Sequence, residues 1–94
     1  MQAVLPRINQ PNIMPNPITS FTPQRIIPLV ANGSAIHPQA SIIGNVIISP
    51  EVNVAPFATI SGAEGTPIYI GRGTNVQDGV VIQGLHAGRV WTFY

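Results

Sequence analysis

The chain has 94 residues, of which 7% are charged, with no cysteine, no lysine and a formal net charge of +1. That length holds one small domain whose own core buries only part of its surface, and the charged fraction is far below the globular average of about 25%. Scattered arginines (Arg7, Arg25, Arg72, Arg89) against Glu51, Glu64 and Asp78 exclude a basic field for nucleic acid, and the lack of cysteine excludes disulfide or thiolate-metal frameworks.

Mean hydropathy is +0.29, yet ten prolines break up the apolar stretches. None approaches the roughly 20 apolar residues that a helix needs to cross a bilayer, so no membrane span is expected. The opening MQAVLPRINQ shows no basic segment leading into an apolar run, so no secretory signal is visible and the cellular address stays open. So apolar a surface points to partners, the first candidate being other copies of the chain.

Residues 1–34 form the first block. Pro6, Pro11, Pro15, Pro17, Pro23 and Pro28 are spaced too closely for a helix or a central strand, which predicts an extended, polyproline-like or edge-strand arm. Its apolar residues Val4, Leu5, Ile8, Ile13, Ile18 and Phe21 need cover. Two placements are open: a tail lying along its own domain, or an arm whose apolar residues dock on a neighbouring subunit.

Residues 35–94 form the second block, and from Ile36 it keeps a beat of six. Ile36, Ile42, Ile48, Val54 and Ile60 share one phase, with Ala40, Val46, Val52 and Ala58 four residues after each beat. A strand alternates with period two and a helix with period 3.6, so a period of six means short strands separated by regular corners, a β-solenoid. The first and fifth places of each hexad should point inward. Three hexads, each a strand with its corner, make one triangular coil, and Pro38, Gly44, Pro50, Pro56 and Gly71 supply the corner chemistry.

The stretch SGAEGTP, residues 61–67, breaks the beat by four residues and should form a protruding loop. The beat then resumes at Ile70, Val76 and Ile82, with Thr74 and Val80 in the fifth place. From Ile36 to Ala87 the chain completes fewer than three coils, the number at which a solenoid becomes stable alone, and its terminal coils should leave open strand edges. Such edges normally carry lysines, prolines or bulges. Three of the six aromatics follow within the last four residues, Trp91, Phe93 and Tyr94. They serve either as a lid on the coil or as an anchor for the next molecule.

From NPITSF through IHPQASIIGNVIISPEVNVAPFATI to EGTPIYIGRGTNVQDGVVIQGL, residues 16 to about 85, the sequence resembles the first part of the γ-class carbonic anhydrases and their relatives. The specific element is GRGTNVQDGVVI, since bare hexads would indicate only a hexapeptide-repeat protein. The resemblance implies a left-handed parallel β-helix, usually trimeric, with zinc or another divalent ion held by histidines at subunit interfaces. In the family one histidine comes from a V-V-[IL]-H segment and two from a later H-x4-H element. Here the first position is Gln83, a neutral amide that substitutes poorly for imidazole, and the second element is not found.

The surrounding residues are mixed. Against the family's I-R-x-D-E-G segment, Ser61 stands at the arginine and Ala63 at the aspartate, while Glu64 matches the glutamate; Gln77 and Asp78 match a Gln and an Asp. Beside a metal these groups would move protons and orient bound water or bicarbonate. Without one, Glu64, Gln77 and Asp78 are expected as family remnants in ordinary loop and turn roles. Of the two histidines, His37 sits at a corner before Pro38, and His86 lies three residues after Gln83. They are more than two coils apart along the axis, which makes a ligand pair within one chain awkward.

The expected protein is therefore all-β, a short left-handed parallel β-helix with an extended proline-rich arm. Its expected role is non-catalytic self-assembly, as filament or trimer, through coil edges and arm, with no cofactor. The competing expectation is a carbonic anhydrase, or a fragment of one, using zinc or iron held partly by other chains.

Overall fold

The computed structural model describes residues 4–5, 10–20, 22–63, 67–84 and 91–93, all in strands, turns and extended connections. Ile8, Phe21, Glu64, His86 and Tyr94, singled out in the sequence, lie outside the described residues. The fold is a left-handed parallel β-helix of triangular section. No helix among the described residues is long and apolar enough to cross a membrane.

Three sheets make the three walls. The first contains β1 (Val4–Leu5), β3 (Leu29–Ala31), β6 (Val46–Ile48), β9 (Ile68–Ile70) and β12 (Trp91–Phe93), in that spatial order. The second runs β10 (Asn75–Val76), β7 (Asn53–Val54), β4 (Ala35–Ile36). The third runs β11 (Val81–Gln83), β8 (Thr59–Gly62), β5 (Ser41–Gly44), β2 (Ile13–Met14). All pairings are parallel except β1 on β3.

The registers reproduce the beat. Ile36 pairs with Val54 and Ile42 with Ile60, in each case three hexads on. Val54 then pairs with Val76 and Ile60 with Ile82, a step longer by the size of the 61–67 interruption. Ser61 and Gly62, expected in the loop, instead complete β8, and beyond the interruption the side-chain phase resumes unshifted. A slip of a single residue at this loop would have turned an apolar row to solvent.

The interior follows from this stacking. Ile36, Ile42, Ile48, Val54, Ile60, Ile70, Val76 and Ile82 are all buried and form one cluster, joined by the fifth-place residues Ala40, Val46, Val52 and Ala58. Small side chains at the fifth place let three walls meet without crowding the axis. Two later fifth-place residues differ from the expectation. Thr74 is half-buried and its hydroxyl donates to the Gly71 carbonyl at 2.7 Å. Val80 is 38% exposed, because no strand among the described residues stacks on β10 or β11.

The coil begins one beat earlier than the sequence suggested. Val30, one hexad before Ile36, is buried and pairs with Ile48. Upstream residues close the lower edges. β1 pairs with β3 and β2 pairs with β5, while under β4 two amide side chains take the place of a strand. Gln10 Nε2 donates to the Ile36 carbonyl at 3.0 Å, and Asn12 Nδ2 donates to the carbonyls of His37 at 3.2 Å and Ala40 at 2.7 Å. Replacing Asn12 by Ala leaves two carbonyls without these donors and is expected to cost about 1–2 kcal/mol in urea unfolding.

Corners carry the strain. Glu51 and Phe57 adopt φ of 63°, a left-handed conformation, at corners where later coils place Gly73 and Gly79. Phe57 is 65% exposed, so little packing compensates it. Phe57→Gly is therefore expected to be neutral or to raise stability by up to about 1 kcal/mol, as relief of strain offsets the flexibility of glycine. Thermal unfolding checks this, and a clear loss of stability would contradict it. Glu51 is tied to Arg72 by a 2.6 Å ion pair, exposed on both sides and worth well under about 1 kcal/mol.

Candidate functional site

Gln83 ends β11 on the outward face of the third sheet, in register over Ser61 of β8. Alternation along these strands turns Ile82 and Ile60 inward and leaves Gln83 exposed, with Ser61 half-buried beneath it. The Ser61 hydroxyl accepts the Ala63 amide at 3.4 Å. The position that the resemblance sets against a family histidine thus faces solvent and offers an amide above a hydroxyl. Neither carries the charge or basicity that a divalent ion of the zinc type draws from its ligands.

Gln77 and Asp78 occupy the corner after β10, and both are exposed. The Gln77 carbonyl accepts the Val80 amide at 3.2 Å, and Gly79 donates to the Pro56 carbonyl at 3.4 Å, so the corner is closed by backbone bonds. Both side chains are free of that work and face water. Among the described residues no group of three or more His, Cys, Asp or Glu side chains is gathered where it could hold a metal ion. An amide stacked over a hydroxyl is a poorer donor pair for a zinc-type ion than the imidazole that the resemblance implies.

His37 stands on the second wall. Its Nδ1 accepts the Gln39 amide at 3.1 Å, which leaves Nε2 to carry the proton in the neutral ring. It borders an open groove of about 410 Å³ on the outer face of β4 and β7, lined also by Ala35, Asn53, Ala55 and Pro56. Along this wall Asn53 Nδ2 donates to Asn75 Oδ1 at 3.0 Å, one rung of an amide ladder between coils. Sequence reasoning missed both the groove and the ladder. The ladder had a signal: Asn53 and Asn75 each stand just before a beat, at Val54 and Val76.

Of the residues expected at an interface, Ile13 packs partly buried against the core and Ile18 is 67% exposed. Val4 and Leu5 lie in β1, paired with Ala31 and Val30. Trp91 and Phe93 lie in β12, in register with Ile68 and Ile70.

No protein-family model matches this chain. Individual proteins do. A carbonic anhydrase of Methanosarcina thermophila is 46% identical over 74 residues, covering 79% of this chain and 30% of that protein. The carboxysome assembly protein CcmM of a Nostoc species is 54% identical over 55 residues, 58% of this chain and 10% of the relative. The carnitine operon protein CaiE of Escherichia fergusonii is 38% identical over 61 residues, 65% of this chain and 31% of the relative. The chain thus spans less than a third of the length of each of these relatives.

Proposed function

Because this chain carries part of the γ-class carbonic-anhydrase-like hexapeptide-repeat scaffold, we propose that it is a non-catalytic structural module that associates with copies of itself. The observation that carries this reading is Gln83 in register over Ser61, where the family places a histidine and an arginine. The backbone that would present the ligand is kept, and the ligand chemistry is not. With Ala63 in place of an aspartate, the acid-base apparatus around that position is reduced as well.

The association half of the proposal rests on surface chemistry. Val80 and Val81 are exposed at the β10–β11 end of the coil, in a chain with no lysine to discourage strand pairing. One matched relative is an assembly protein by name, which is consistent with a scaffold put to structural use. A heterologous contact between coil ends would give a filament, and a closed ring would give a trimer.

Sedimentation velocity over a concentration series, with electron microscopy of the same sample, tests the proposal. Growth of species larger than 10.0 kDa with concentration is expected. A strictly monomeric chain would overturn it.

A second reading is favoured by Gln77 and Asp78, which match the family and face water on one corner. In it the chain contributes to a carbonic anhydrase whose zinc or iron ligands come from other segments or chains. Metal analysis of the purified protein and a stopped-flow CO2 hydration assay distinguish the two readings. Hydration that a chelator removes would establish the second and sink the first.

A further inference from the structure

The step from the third wall to the first is short in a regular coil. Ile43 and Ile47 are four positions apart, and their register partners one coil below are Met14 and Leu29, which are fifteen apart. The connection between β2 and β3 is therefore much longer than the fold requires. Four of its fourteen residues are proline, Pro15, Pro17, Pro23 and Pro28, which favour an extended path over a compact one.

The Asn16 side chain ties the two ends of this connection together, and a Thr19–Thr22 turn lies between them. Asn16 is 4% exposed and its backbone amide donates to the Ile26 carbonyl at 3.2 Å. Its Nδ2 donates to the carbonyls of Pro17 at 3.1 Å and Gln24 at 2.9 Å, and its Oδ1 accepts the Ile26 amide. Ile18 and Ile27 on the same connection are 67% and 42% exposed, so its aliphatic side chains contribute little to holding it closed, and apolar burial is concentrated at Pro28, next to β3. What residues 10–14 do beyond it is bond to the coil: β2 on β5, the Asn12 carbonyl to the Ile42 amide, and the Gln10 and Asn12 amides under β4. Each of these bonds could be made equally well to the coil of another molecule.

We propose that the described part of the arm, β1 and residues 10–14, is exchanged between two copies of this chain, with the connection between β2 and β3 as the hinge and Asn16 as its latch. The proposal deepens the self-assembly reading above and rests on it. Extended, the fourteen hinge residues reach about 46 Å at roughly 3.3 Å each, beyond the 34 Å longest dimension of the molecule. The exchanged state keeps every strand pairing of the closed state; what opening the hinge puts at risk is the Asn16 bonds and the local turn in which the Thr19 amide donates to the Thr22 carbonyl and the Thr22 amide to the Thr19 hydroxyl, both at 3.0 Å.

The chain has no cysteine, so introduced thiols report only on themselves. Met14 and Ile43 are register partners on adjacent parallel strands, and both are half-buried. Met14→Cys in one chain and Ile43→Cys in another are mixed, unfolded, refolded together and oxidised. Arm exchange yields a covalent heterodimer, and adding Asn16→Ala to the first chain should raise its yield by about tenfold, as loss of one or two net hydrogen bonds implies.

Two controls keep the outcome readable. A single chain carrying both cysteines must close its own disulfide, which shows that the variants fold in register. Pairing Ile18→Cys with Ile43→Cys measures random collision. If the Met14→Cys mixture forms no more heterodimer than that background while the double-cysteine chain closes, arm exchange is overturned. In that case wild-type association in sedimentation leaves the self-assembly reading standing, whereas a monomeric wild type ends both.

Discussion

Gly62→Ala is expected to remove at least about 3 kcal/mol of stability, enough to leave the chain largely unfolded at moderate denaturant. A Cβ built on Gly62 would lie 2.5 Å from the Asn45 carbonyl oxygen, 2.8 Å from its carbon and 2.9 Å from its nitrogen. All three are backbone atoms, so no side chain can swing aside. Nor can Asn45 retreat, because its carbonyl accepts the Ile68 amide at 2.9 Å and its amide donates to the Gly62 carbonyl at 3.3 Å. The clash sits where β5 and β8 turn into the first wall, and relieving it means separating two coils. Gly33→Ala provides the comparison: φ is +86° but nothing lies within 4 Å of the added carbon. That change should cost only about 1 kcal/mol, the ordinary strain of a left-handed alanine. Urea unfolding of the two variants side by side checks the difference, and equal losses would contradict the coil-contact explanation.

Ile60→Ala is expected to cost about 3–4 kcal/mol, in the range of large-to-small changes in rigid cores. Ile60 is fully buried in β8, with Ile42 in register below and Ile82 above. Its neighbours are held by ladders on both sides, so the vacated space closes poorly. Ile60→Val removes one methylene and should cost about 1 kcal/mol. Urea unfolding of the pair reports whether this row behaves as packed solid, and a loss near about 1 kcal/mol for Ile60→Ala would show that the coil collapses into the gap.

Much of the coil is legible in the hexads alone. A hexad places its first residue inward whatever its neighbours do, because the strand and corner geometry repeats, and the buried row from Ile36 to Ile82 follows that rule. The interruption at 61–67 is legible for the same reason, and it reappears as the longer step from Val54 to Val76 than from Ile36 to Val54. The family resemblance, carried by GRGTNVQDGVVI, is matched by the relatives found. That Gln83 stands where the resemblance expects a histidine is readable from the sequence, but its stacking over Ser61 is not, because that depends on pairing across the interruption of the beat.

What remained hidden involves partners distant in sequence or backbone angles. Glu51 and Phe57 look like ordinary residues, and only the corner geometry shows them in a conformation usually left to glycine. The groove beside His37 is lined by residues of two successive coils, Ala35 from one and Asn53, Ala55 and Pro56 from the next, which only the stacking of the coils brings together.

The chain's own pattern determined the solenoid, its phase and the place where it is interrupted, since each follows from contacts that repeat with every hexad. Only the tertiary structure decided where the described part of the arm lies. Its two-residue strands have no periodicity to read, and Gln10, Asn12 and Asn16 act through amides that imitate backbone on carbonyls distant in sequence. Edge pairing of this kind is long-range and nearly independent of side-chain pattern, so the folded coil had to be present before the arm's place on it was defined.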